Sequence, residues 1–128
     1  MSTIPEEFGY TEEHEWISAA DEQTVVRVGI TDFAQQELGD VVFVQLPDAG
    51  TAISQGEAVG EIESTKSVSE VFAPLDGEIV ARNEALEDDP GLVNSDPYGE
   101  GWLFDLRLDD PQAVDQLLDA AGYRQQVG

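Results

Sequence analysis

Apolar and polar positions alternate in short blocks along this chain, with glycines between the blocks. Thr24-Val25-Val26-Arg27-Val28-Gly29-Ile30 is rich in β-branched residues and predicts a strand. Thr31-Asp32 then supplies an N-cap and an acidic first turn, and Gly39 a C-terminal stop. Phe33, Ala34 and Leu38 between them predict a short helix near 32–38. Val41 to Leu46 reads as another strand, closed by the turn Pro47-Asp48-Ala49-Gly50.

A weak internal repeat follows the glycines. Gly39-Asp40-Val41-Val42, Gly56-Glu57-Ala58-Val59 and Gly77-Glu78-Ile79-Val80 share Gly, an acid, a small or branched apolar residue and Val. They start 17 and 21 residues apart (39 to 56, 56 to 77). Each fits a glycine-assisted turn feeding a short strand. Many short strands at such spacing predict an all-β sandwich or barrel and not a βαβ architecture. The end of the chain differs. Asp110 is an N-cap, Pro111 a first helical residue, and Val114, Leu117, Leu118 and Ala121 recur at i, i+3, i+4 and i+7 before Gly122. This predicts one amphipathic helix over about 111–121, packed on the β-body. No linker divides the chain, so residues 1–128 are expected to form a single domain.

Charge narrows the function. Five Lys and Arg face 28 Asp and Glu, a net charge of −23 over 128 residues. That field repels nucleic acid and anionic membrane surfaces, which bind through clustered Lys and Arg. The apolar runs fall far below the roughly 20 residues of a membrane span. Residues 1–7 carry no apolar segment of a secretory signal, so a soluble cytoplasmic protein is expected. At about 1 M salt the Debye length shrinks to roughly 3 Å and screens carboxylate repulsion, which points to a high-salt cytoplasm. Despite the charge, 41% hydrophobic residues argue for a packed core over disorder. Trp16, Phe43, Phe72, Trp102 and Phe104 are read as core or half-buried positions. Asn94-Ser95-Asp96-Pro97-Tyr98-Gly99 reads as loop chemistry.

Cysteine is absent and His14 is the only histidine, so disulfides, thiolate zinc sites, thiol catalysis and a metal centre are not expected. Lys66 is the only lysine. It lies in Glu61-Ile62-Glu63-Ser64-Thr65-Lys66-Ser67-Val68-Ser69-Glu70-Val71-Phe72, small polar residues flanked by strand-like ones, as at the tip of a β-hairpin. An exposed ion pair with Glu63 or Glu70, worth about 0.2–1 kcal/mol, is one explanation. A Schiff-base role fits poorly, because the neighbouring carboxylates raise the pKa that such chemistry needs lowered. An attachment point for a prosthetic group suits an exposed amine on a flexible stem. Composition alone does not choose between ion pair and attachment.

Residues 56–80 resemble the lipoyl-attachment hairpin of the biotinyl/lipoyl carrier families. Further segments are similar to the H proteins of the glycine cleavage system: Tyr10 to Trp16, Val28-Gly29-Ile30-Thr31-Asp32, Leu38 to Val44, Leu46-Pro47, Gly91 to Tyr98 and Gly101-Trp102-Leu103. Biotin carriers usually flank their lysine with methionines, where Thr65 and Ser67 stand here. The resemblance implies a barrel-sandwich hybrid, two short sheets related by approximate two-fold symmetry. It implies lipoate in amide linkage on Lys66, with Glu63, Ser64, Thr65 and Ser67 as the tip read by lipoylating enzymes. Glu15, Glu70 and His14 are then placed by analogy at a cleft for the aminomethyl-lipoyl arm, where a carboxylate is the natural partner of an ammonium. The implied role is a carrier and not an enzyme. It takes the aminomethyl group of glycine from a pyridoxal-phosphate glycine decarboxylase (P protein) to an aminomethyltransferase (T protein), and its dithiol to dihydrolipoamide dehydrogenase (L protein). The rivals are an H-like protein that relays lipoate to other acceptors, a non-lipoylated binding module and, last, a Schiff-base enzyme. Four positions depart from the family pattern: Thr65 for Val, Glu70 for Asp, Glu13 for Ser and Phe33 for His.

Overall fold

The computed structural model describes residues 3–127. Among the described residues nine strands form two antiparallel sheets. β1 (Gly9–Tyr10), β2 (Glu15–Ile17), β3 (Val25–Ile30), β5 (Ala52–Ile53), β8 (Gly77–Arg82) and β9 (Phe104–Leu108) make the larger, in the order β1-β2-β3-β9-β8-β5. β4 (Val41–Gln45), β6 (Ala58–Ser64) and β7 (Val68–Phe72) make the smaller, ordered β4-β6-β7. The fold is the expected two-sheet β architecture, although six strands face three, so the sheets are unequal.

Alternation explains the packing. On β3, Val26, Val28 and Ile30 are buried while Arg27 points to solvent. They meet Ile79, Leu106, Val44, Ile62 and Val71 in one core between the sheets. Gly29 is required on that strand, because a Cβ there would come within 2.5 Å of Trp16 Nε1. α1 (Asp32–Leu38) starts and stops where the sequence signals it: Thr31 Oγ1 accepts from the Ala34 amide at 3.2 Å. Gly39 then turns the chain at φ +78°, a left-handed conformation suited to glycine. Two single turns, α2 (Ala85–Asp88) and α3 (Leu92–Ser95), were not anticipated. The segment read as a loop at 94–99 therefore begins inside α3.

The terminal helix differs in its bounds. Residues Pro111–Gln116 form a 3₁₀ turn, capped by Asp110 as expected. Leu117 is extended, at φ −75° and ψ 154°, and the amides of Tyr10 and Leu118 each donate to the other's carbonyl at 2.8 Å. Asp119 restarts the helix, its side chain accepting from the Gly122 amide at 2.8 Å, and α4 runs Ala120–Val127. Pairing with β1 therefore overrides the helical spacing of Val114, Leu117 and Leu118. Gly122 sits inside the helix and does not end it. The cap at Asp119 offsets its cost of about 1 kcal/mol. α4 packs Tyr123 on Tyr10, rings stacked at 4.8 Å, in a second cluster with Trp16. Of the aromatics read as core or half-buried, Phe43 is the half-exposed one, on β4.

Candidate functional site

β6 and β7 pair Glu63 with Val68, which places Ser64-Thr65-Lys66-Ser67 at the hairpin tip. The tip is built by Ser64. Its Oγ accepts from the amides of Lys66 (3.3 Å) and Ser67 (3.1 Å) and donates to the Ser67 carbonyl, while its amide donates to that carbonyl at 2.8 Å. Thr65 donates its amide to the Asp40 carbonyl at 3.0 Å, tying the tip to the turn after α1. The Lys66 stem lies over that turn, where a Cβ on Gly39 would sit 3.4 Å from Lys66 Cε. Asn94 holds the turn from below. It donates to the Gly39 carbonyl (2.8 Å) and to Gln35 Oε1 (3.0 Å), and accepts from the Val41 amide (2.8 Å).

The charge at the tip is singular. Arg27, Arg82, Arg107 and Arg124 all make ion pairs with carboxylates. Lys66 makes none among the described residues, although carboxylates outnumber cations throughout the chain. Its ammonium is therefore free, which removes the contact with Glu63 or Glu70 that the ion-pair explanation needs.

Beside the tip lies a cleft of about 400 Å³ between α1, β2 and β7. His14, Glu15, Ser67 and Glu70 line it, with Phe33 and Ile62 among its apolar wall residues. Glu63, Ser64 and Thr65 are not among the lining residues. The structure thus brings together the three cleft candidates and one tip residue, and separates them from the rest of the tip. A second hollow of about 390 Å³ opens on the other side of Glu15, against Tyr10, Gln55, Pro74 and Leu118.

Glu15 is the buried acid of the site, 2% exposed. Burial pushes its carboxyl up to about 8, against the lowering effect of hydrogen bonds from Thr11 Oγ1 and the Phe72 amide, both 3.2 Å. His14 is moved the other way. Burial lowers its pKa, opposed by Glu13 and Glu37. The His14 backbone is left-handed, φ +67°, an uncommon conformation for a residue with a Cβ. Its Nδ1 lies 2.8 Å from the Tyr123 hydroxyl, which lies 2.7 Å from Thr31 Oγ1. Phe33 packs on the imidazole at 4.9 Å between ring centres. Tyr123, Thr11 and Asn94 are site residues that sequence reading missed. Tyr123 stands 109 residues from His14, and no local pattern joins them.

Among the described residues no group of three His, Asp or Glu side chains could hold a metal ion. No described helix is long and apolar enough to cross a membrane.

The structure thus sets an exposed lysine, unpaired among the described residues, on a hairpin of a two-sheet β-fold beside a cleft that Glu15 lines. The chain belongs to the glycine cleavage H-protein family, whose sequence profile matches residues 8–128. It is 56% identical over 125 residues to the glycine cleavage system H protein of Kocuria rhizophila, covering 98% of each chain. It is 58% identical over 130 residues to that of Mycolicibacterium gilvum, covering 99% of this chain and 98% of the other. A crystal structure of a glycine cleavage system H protein from Mycobacterium marinum superposes with a TM-score of 0.88 at 47% identity, covering 96% of this chain and 98% of that one. Members of this family are lipoyl carriers of the glycine cleavage system and not themselves enzymes.

Proposed function

We propose that Lys66 carries lipoate in amide linkage and that the cleft of His14, Glu15 and Glu70 shelters the loaded arm. The observation that carries this reading is the lone lysine, free of any ion pair among the described residues while all four arginines are paired. The dithiolane of lipoate supplies the sulfur chemistry that a chain without cysteine lacks. This chain's residues do the rest. Ser64 shapes the tip, the bare Gly39 lets the Lys66 stem lie flat, and the cleft offers the arm an apolar wall that includes Phe33 and Ile62. Glu70 offers a carboxylate at the cleft rim. Glu15, neutral until a cation arrives, becomes the counter-charge for an ammonium by releasing its proton.

The partners are the lipoylating enzyme, which acts on the bare lysine, and the glycine decarboxylase, the aminomethyltransferase and dihydrolipoamide dehydrogenase, each meeting the tethered arm at high effective concentration. The excess of carboxylates supports a cytoplasm rich in salt, where their repulsion is screened. Equal stability in dilute buffer and in molar KCl would refute that last part.

The test is the intact mass of the protein from its own cells, with mapping of the Lys66 peptide. A lipoyl-sized increment on that peptide, followed by glycine-dependent loading in the presence of the decarboxylase, is the expected result. Lipoate passing from Lys66 to another protein with no glycine-dependent loading identifies a lipoate relay instead. An unmodified Lys66 in cells with active lipoylation leaves a plain binding module.

A further inference from the structure

The strongly exposed large apolar side chains among the described residues are three, and all sit beside the Lys66 hairpin. Val42 is 53% exposed, Phe43 51% and Val68 59%. Their placement follows from the register of the small sheet. Phe43 opposes Glu63, and Glu63 opposes Val68, so the three form one cross-strand row on the outward face. The ladder slips between Val41 and Phe43, and the bulge turns two successive side chains, Val42 and Phe43, outward between buried Val41 and Val44. A regular strand would have sent one of them inward. The next row holds Glu61 directly opposite Glu70, a like-charge pair that weakens a sheet. An apolar strip crossed by carboxylates therefore flanks the tip, on a sheet whose β4 edge is unpaired.

We infer that the Val42-Phe43-Val68 strip is the docking face for the enzyme that acylates Lys66, received by a mouth apolar at its centre and lined with Lys and Arg at its rim. The inference rests on Lys66 being the attachment point. The basic rim follows from charge complementarity to Glu61, Glu63 and Glu70. The choice of the acylating enzyme follows from where the bond is made. The neutral Nζ attacks the carbonyl carbon of an acyl adenylate or acyl thioester. The amide C–N bond forms, the C–O or C–S bond to the leaving group breaks, and the original ammonium gives up two protons. The reacting atom belongs to the lysine, so the catalytic centre must close to within one side-chain length of the tip and cover its flanks. Enzymes acting on the distal dithiolane reach it across the whole arm and can leave the strip uncovered.

The experiment uses the full-length apo-protein, a purified lipoate–protein ligase, lipoate and ATP, with initial rates followed against carrier concentration. The double variant Val42→Ser/Phe43→Ser avoids Val68, which also borders the cleft. It is expected to raise KM for the carrier at least tenfold with kcat within twofold of wild type. Glu61→Gln is expected to raise KM two- to fivefold and to flatten its rise with KCl. Should the double variant melt early, Phe43→Gln alone carries the test, with a KM rise of three- to tenfold expected. Unchanged KM in the folded variants overturns the inference. So does an unchanged KM with weakened transfer by the aminomethyltransferase, which gives the strip to a later partner. Wild-type dimers that the double variant abolishes overturn it as well, since the strip is then a contact between copies. A wild-type chain that the ligase does not modify at all refutes the reading of Lys66 itself, a failure distinct from these three.

Discussion

The hairpin tip and the adjoining cleft solve opposite problems within a few residues of each other. At the tip Thr65, Lys66 and Ser67 are exposed and the turn is bonded mainly to itself. Ser64 bonds Lys66 and Ser67, the Thr65 amide is tied to the Asp40 carbonyl, and the ammonium of Lys66 has no ion-pair partner among the described residues. In the cleft a carboxyl is buried, a histidine holds a left-handed backbone, and their partners Thr11, Phe72, Phe33 and Tyr123 come from the turn before β2, β7, α1 and α4. Reach demands the first arrangement, since an attached arm must be gripped and released. In the proposed role, retention of a cationic arm is favoured by the second, where a carboxyl is at hand and water is fewer. The tip can thus vary with little cost to folding, whereas the cleft is bound into stability.

The sharpest way to break that contrast is Lys66→Arg. It keeps the charge and offers no amine for amide attachment, so the mass increment and glycine-dependent loading vanish completely. Melting is expected to shift by no more than about 0.5 kcal/mol, as at other exposed positions. A large loss of stability would show the tip to be structural after all.

Glu15→Gln sharpens the other side. The folded carboxyl titrates near 8, against an ordinary 4.5. Between those values the folded state keeps a proton that the unfolded chain has lost. Wild-type stability therefore falls as pH rises from about 5 to 8, by on the order of 2–4 kcal/mol. Glutamine mimics the protonated acid and flattens this slope. His14 works in the opposite direction: its lowered pKa costs stability as pH falls below 6.5. Chemical denaturation at intervals of pH separates the two. A variant with the wild-type slope above pH 6.5 would show that Glu15 is already ionised in the folded protein.

Tyr123→Phe comes next. It keeps the ring stacked on Tyr10 and removes only the hydroxyl shared by His14 and Thr31. Leaving His14 Nδ1 without that partner, and Thr31 Oγ1 with only the Ala34 amide, costs about 1–3 kcal/mol. The single histidine makes the local readout clean, and its imidazole nitrogen resonances are expected to shift in the variant. Unchanged resonances would mean that the C-terminal helix does not hold the cleft wall.

Legibility in the sequence divides along the same line. The α1 boundaries were readable because Thr31 and Gly39 act within one turn of themselves, and the hairpin tip because small polar residues interrupt two strand-like runs. The cleft was placed only through likeness to a family, since Thr11, Glu15, Phe72, His14 and Tyr123 meet through tertiary contacts with no common spacing. Asn94 was read as loop chemistry, yet its amide braces the turn beneath Lys66 from 55 residues away. At the end of the chain, helical periodicity lost to a backbone pairing between Leu118 and Tyr10 that no residue pattern announces. For Phe43 the residue pattern left core and half-buried open, and a bulge that no pattern announces turns it outward.

Salt gives the gentlest separation of the two regions. Raising KCl from 0.1 to 1 M shrinks the Debye length from about 10 to about 3 Å, which screens exposed carboxylates and barely reaches a buried one. The surface holds a large excess of acid. Thermal stability is therefore expected to rise by on the order of 1 kcal/mol, roughly 3–5 °C for a domain of this size. The same rise is expected in Glu15→Gln, because the buried carboxyl lies outside the screened set. The slope of wild-type stability between pH 5 and 8 is expected to persist at both salt concentrations for that reason. If molar KCl erased the slope, water and ions would have to reach Glu15 freely, and the cleft would be as open as the tip.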